Sequence, residues 1–213
     1  MIHLCFPLPK DIVIACSGGV DSMVAVDFLL NGNKNVTVAH FDHGTEHGKL
    51  AREFVKDFCY KKGIHFDSAE IDREKNNDES LEEYWRNVRL KYLHSFKSTV
   101  ITAHQLDDVM EWWIFSSLNG NSRLIPHKNR NILRPFLLTP KKELEDWAAR
   151  KDVPFIADPS NNNIRFARNR IRHCIMSEAL KINPGLGTLL KKKIKLQIKR
   201  DDASPPLRDR PVC

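Results

Sequence analysis

The chain has 213 residues, 41% of them hydrophobic and 29% charged, with a formal net charge of +7. That length suits one α/β domain with a small appendage, and no apolar run is long enough to span a bilayer. Five scattered cysteines (Cys5, Cys16, Cys59, Cys174 and Cys213) form no Cys-x-x-Cys pair, which argues against a disulfide framework or zinc site and for a reducing, cytoplasmic setting.

Residues 1–10, broken by Pro7 and Pro9, lack a signal-peptide layout. Residues 12–16 are apolar and largely β-branched, the pattern of a strand buried on both faces. Residues 20–30 carry apolar side chains at helical spacing, and Asn31-Gly32-Asn33 stops that helix. A second strand is predicted over 36–41 and a helix over 50–62, with Gly63 as its stop. A third strand covers 64–71, followed by a loose polar stretch over 72–79. Ser80 and Glu83 have capping-box spacing and open a helix that runs to Phe96. A fourth strand over 99–103 leads into a helix over 105–118. Strand and helix alternate throughout, which predicts a doubly wound, mainly parallel sheet with helices on both faces.

The remainder is less regular. Residues 119–131 read as a surface loop and 132–138 as a short strand interrupted by Pro135. Thr139-Pro140 opens a helix to Lys151, 158–163 is a turn cluster, and 165–175 is helical with four arginines. A break at 183–187 precedes a basic amphipathic helix over 189–200. Residues 201–213, with three prolines and few apolar side chains, are expected to be disordered. The chain thus divides into a catalytic unit (1–185), a basic helical extension (186–200) and a tail (201–213). Residues 1–120 carry 13 Lys and Arg against 18 Asp and Glu, whereas 121–213 carry 21 against 9. A mildly acidic half joined to a strongly basic one suggests a polyanionic partner gripped by the second half.

Ser17-Gly18-Gly19-Val20-Asp21-Ser22 lies at the first strand-to-helix junction. The glycines open backbone conformations closed to other residues, so successive N–H groups can converge on an anion at the helix start. Ser17 and Ser22 add hydroxyl donors, and a phosphate would tolerate the Asp21 carboxylate only with a bridging cation. A Walker loop would need a lysine after its last glycine, and a dinucleotide fold spaced glycines; both are absent. His104, Asp107, Asp108 and Glu111 share one helix face at the fourth strand end, where carboxylates suit a metal ion or an ammonium. Asp158-Pro159-Ser160-Asn161 is followed by Arg168-Asn169-Arg170-Ile171-Arg172, arginines for phosphates and asparagines for base edges. The first two of these motifs, and Asp42-His43-Gly44, fall at the carboxyl ends of strands, where such sheets bind ligands.

The hexapeptide resembles the PP-loop of the ATP pyrophosphatases, which split ATP between the α- and β-phosphates. Taken in order, Ser17–Ser22, Phe41-Asp42-His43-Gly44, Ala103 to Glu111, Leu133-Arg134-Pro135, Asp158 to Asn161 and Arg168 to Arg172 resemble the catalytic N-terminal domain of the tRNA(Ile)-lysidine synthetases. The resemblance implies ATP and Mg2+ as cofactors, with the tRNA(Ile) anticodon region and free L-lysine as partners. ATP would adenylate the wobble cytidine, and lysine would displace AMP to leave lysidine. Ser17, Gly18, Gly19, Val20, Asp21, Ser22, Asp42 and His43 would hold the nucleotide, with Asp21 and Asp108 on the metal. Asp21, His104, Asp107, Asp108 and Glu111 would carry the chemistry, and Asn161, Arg168, Asn169, Arg170 and Arg172 the tRNA. The chain departs from the family at Trp112-Trp113, where a threonine usually follows the glutamate, and in its short 119–131 loop. Another PP-loop tRNA-modifying or amide-forming enzyme, or a non-catalytic relative, is the alternative.

Overall fold

The computed structural model describes residues 1–76 and 78–203. Six strands form one sheet: β1 (Asp11–Ala15), β2 (Asn35–Asp42), β3 (His65–Glu70), β4 (Val100–Thr102), β5 (Lys128–Asn129) and β6 (Ile132–Leu133). Their order is β3-β2-β1-β4-β6-β5, parallel throughout except for the β5–β6 pair. Strand periodicity sends alternate side chains to opposite faces. Ile12, Ile14 and Val38 meet Val24, Val55 and Leu144, from α1 (Val20–Asn31), α2 (Glu46–Lys62) and α5 (Lys141–Lys151). Val13, Ala39, Val100 and Ile132 meet Leu93 from α3 (Leu81–Ser95).

Handedness explains this division. The first two crossovers step from β1 outward to β3, and right-handed connections put α1 and α2 on one face. The chain then returns past β1 to β4, so α3 covers the other face. Strand order therefore reverses between β1 and β4, opening a crevice at their carboxyl ends.

A further cluster lies beside the sheet. Leu106, Val109 and Met110 of α4 (Leu106–Leu118) pack with Leu190, Ile194 and Ile198 of α8 (Leu186–Ala203). Each of these α8 side chains contributes roughly 1.5–3 kcal/mol by leaving water. Trp112 and Trp113 lean on this cluster, and Trp112 stacks on Phe115 at 5.7 Å.

Several expectations need correction. α2 starts at Glu46 rather than 50, because Thr45 caps it by accepting from Gly48 N at 2.9 Å. The predicted strand over 132–138 ends at Leu133, and Phe136 to Thr139 turn back through a hydrogen bond from Thr139 N to Phe136 O. The predicted loop over 119–131 contains β5, joined to β6 through Arg130 at φ 53°. The single helix expected over 165–175 is α6 (Ala167–Arg170), a π-helical turn (Ile171–Ile175) and α7 (Met176–Ile182). Asp201 to Ala203 form the last turn of α8, and the rest of the predicted tail lies outside the described residues.

Candidate active site

β1 delivers the chain into a cradle at residues 16–19. Cys16 N bonds to Ala39 O and the His40 Nδ1 ring nitrogen lies 2.8 Å from Cys16 O, so β2 braces the turn. Ser22 Oγ accepts from Ser17 N at 3.2 Å and donates to Gly19 O at 2.9 Å, closing the turn on itself. Gly18 has φ +85°, the left-handed region that favours glycine, and a Cβ there would lie 3.3 Å from Ile156 Cγ1. Gly19 corrects the sequence reading: its φ is −73°, a conformation open to any residue. What Gly19 supplies is an N-cap with no side-chain cap, leaving the first N–H groups of the 12-residue α1 for an anion.

Asp21 stands in the first turn of α1, with its buried Oδ1 lacking any hydrogen-bond partner among the described residues. Burial, and then the charge of Asp108, push its carboxyl up to about 7. Asp42 is buried and accepts from Gly44 N at 2.8 Å. His43 packs between Phe41 and Trp85, and burial followed by the charge of Arg89 lowers it to about 4.

The four residues predicted to share one face of α4 separate. His104 precedes the helix, with Nδ1 lying 2.9 Å from Thr102 Oγ1; burial, then Arg134, Arg89, Arg168 and Arg86, hold it well below its ordinary value. Asp107 turns away and accepts from Lys141 N at 2.8 Å, capping α5. Asp108 Oδ2 accepts from Gln105 N at 3.0 Å in a capping box. Its Oδ1 faces the guanidinium groups of Arg172 and Arg168 at 3.7 and 3.8 Å. Glu111 is only 2% exposed and is held bidentately by Arg172, at 2.6 and 2.9 Å. Burial raises the Glu111 carboxyl despite that partner.

Ile156 N bonds to Gly18 O at 3.0 Å, bringing the segment after α5 onto the cradle. Asp158 caps the following 3-10 turn through Ser160 N. Asn169 spends its amide on Ser160 O and Asn163 O, so it braces this turn, while Asn161 O faces His173 Nε2 at 2.9 Å. Arg168 and Arg172 fold inward onto the carboxylates, whereas Arg170 and Asn161 are exposed.

The sequence profile of the PP-loop domain family matches residues 7–179. The chain belongs to that family. Among curated relatives it is 31% identical over 192 residues to the tRNA(Ile)-lysidine synthase of Thermotoga maritima, covering 82% of this chain and 46% of that protein. The Staphylococcus aureus (strain COL) tRNA(Ile)-lysidine synthase is 28% identical, with 78% and 43% covered. The chain therefore spans about half the length of the curated relatives it matches. In fold it is similar to the NH3-dependent NAD synthetase of Campylobacter jejuni, with TM-score 0.52, 13% identity and 95% and 91% of the two chains covered.

The PP-loop fits a divalent ion on one observation. Asp21 Oδ1 is buried without a hydrogen-bond partner among the described residues, and the charge of Asp108 reaches it. Among the described residues no group of three or more metal-ligating side chains occurs. An ion held by Asp21 would take its remaining ligands from phosphate oxygens and water, as magnesium commonly does, whereas Asp108 already accepts from Gln105 N and faces two guanidinium groups.

The sequence reading missed His40 behind the cradle, Gly48, Arg86 and Arg89, and gave Arg134 no role beyond its place in the Leu133-Arg134-Pro135 motif. A Cβ on Gly48 would collide with Asp42 Oδ1. Arg86 and Arg89 of α3 and Arg134 after β6 join Arg168 as the positive charges acting on His104. The Arg-x-x-Arg spacing on α3 was the one available signal, since positions three apart share a helix face.

Proposed function

We propose that this chain uses ATP to adenylate the wobble cytidine of tRNA(Ile) and joins lysine to it, giving lysidine. The supporting observation is the buried Asp21 Oδ1, without a hydrogen-bond partner among the described residues and within electrostatic reach of Asp108, beside an uncapped helix start in a PP-loop domain. The free N–H groups of α1 and the Ser17 hydroxyl would bind the phosphates of ATP. A magnesium ion on Asp21 would offset charge on the departing pyrophosphate. Asp42 and His43 would line the nucleotide, with His43 neutral at pH 7.

Lysine must lose a proton before its amine attacks. Asp107 and Glu111 are each committed to a close partner, and His104 is a weak base through its burial and then the arginines around it. Asp108 Oδ1, whose guanidinium neighbours stand beyond hydrogen-bond reach, is the acceptor we assign. Arg86, Arg89, Arg134 and Arg168 form a positive wall suited to a lysine carboxylate or an RNA phosphate. Arg170, which is exposed, and Arg168, whose side chain is 38% exposed, would contact the anticodon loop, whose unstacked bases are what proteins read in RNA, with Arg172 held on Glu111 behind them.

The test is incubation with ATP, radiolabelled lysine and total tRNA. Label in RNA, with AMP and pyrophosphate released, is expected. Pyrophosphate release with no label in RNA would move the chain to another PP-loop reaction.

A further inference from the structure

The inner side of α8 is fully used: Leu186, Leu190, Ile194 and Ile198 recur every four residues and are buried in the α4 cluster. Lys192, Lys195 and Lys199 are exposed on the opposite side. Their spacings of three and four align them on one crest about 10 Å long. None of the three pairs with an acid among the described residues, and the acids of α8 are confined to Asp201 and Asp202 in its last turn. Lys195 and Lys199, four apart, repel each other, so the row works against the helix unless a polyanion meets it.

The crest is placed to continue from the cleft. A Cβ on Gly187 would lie 3.5 Å from Leu106 Cδ2 and 3.7 Å from Met110 Sδ, in the first turns of α4. At the far end, Asp201 lies 3.4 Å from His127. α8 thus starts beside the carboxyl end of β4 and finishes beside that of β6, so it runs along the carboxyl edge of the sheet. We infer that the outer face of α8 docks the phosphodiester backbone of the RNA whose base enters the cleft. This rests on the RNA substrate proposed above. An anionic membrane is the lesser fit, because the apolar stripe that would enter lipid is already buried, leaving only Leu189 and Leu196 outside.

The test compares the full chain with its Lys192→Gln/Lys195→Gln/Lys199→Gln variant, measuring total tRNA binding between about 50 and 200 mM salt. Three lost phosphate contacts should make the log–log salt slope shallower by roughly 2–3. Binding at low salt should weaken by at least about tenfold, and the tRNA concentration needed for lysine transfer should rise with the saturated rate unchanged. A melting temperature equal to or above that of the unchanged chain would show that the variant folds. An unchanged slope and affinity overturns the α8 surface, as does lost binding to phosphatidylserine vesicles with tRNA binding intact. A wild-type chain that binds tRNA with the expected slope but transfers no lysine sinks the lysine reading and leaves the α8 surface standing. One that binds no tRNA overturns both.

Discussion

Asp21 carries the sharpest electrostatic conflict in the cleft. Its folded-state value near 7 exceeds the ordinary 3.8, so folding is penalised wherever the group must be charged. The penalty is absent below the ordinary carboxylate range, grows as pH rises, and is complete above about 7. With metal chelated, Asp21→Asn should therefore stabilise the protein by about 1–3 kcal/mol near pH 8, fading toward pH 4. The same variant should lose ATP-driven pyrophosphate release, a trade of function against stability. Urea midpoints across pH check the first half, and an equal gain at every pH would remove charge as its source. The two glycines should separate just as cleanly. Gly18→Ala meets φ +85° and Ile156, and should cost about 1–2 kcal/mol. Gly19→Ala meets only Ser17 Oγ at 3.5 Å and should cost about 0.5 kcal/mol as a poorer N-cap. Any larger loss of ATP affinity in Gly19→Ala then reports the approach of phosphate, read by setting nucleotide titrations beside melting temperatures.

At the scale of elements, capping decides which carboxylates remain available. α4 closes its own start through Gln105 and Asp108, and it lends Asp107 to α5, whose N-cap Pro140 has no side chain to offer. Asp107→Ala should cost about 1 kcal/mol of stability through the lost cap. Its lysine requirement at saturating ATP and tRNA should stay unchanged, while Asp108→Asn raises that requirement. The reverse pattern would make Asp107 the amine acceptor and its bond to α5 incidental. The π-helical turn that carries Arg172 is part of the same arrangement, since wide turns of this kind recur at functional sites.

For the molecule as a whole, the cleft joins an uncapped helix, the interacting carboxylates of Asp21 and Asp108 and a group of arginines, so an anion with magnesium should tighten the entire fold. Inorganic pyrophosphate with magnesium at a hundred times its Kd should raise the melting temperature by about 5–10 °C. Asp21→Asn and Gly18→Ala should abolish most of that shift, and a shift equal in all three proteins would place the anion elsewhere. The parallel α/β layout, the junction at Ser17–Ser22 and the clustering of motifs at strand ends were legible from residue order alone. They rest on local causes: β-branched runs, helical spacing, turn glycines and capping side chains. The small β5–β6 hairpin and the π-turn were not legible, because pairing partners and neighbouring packing, not local preference, create them.

The site divides in the same way. Sequence by itself determined that a glycine turn with one carboxylate, open to an anion, would stand at the first strand end, because turn glycines and the start of a helix are properties of neighbours in the chain. It also determined which residues could reach that edge. Only the tertiary structure decided their employment: Asp107 capping a helix 34 residues on, Glu111 locked by an arginine 61 residues on, and His104 ringed by arginines from three elements. Those outcomes depend on how helices pack around the sheet. A carboxylate or guanidinium carries no local mark of the partner that packing will bring to it.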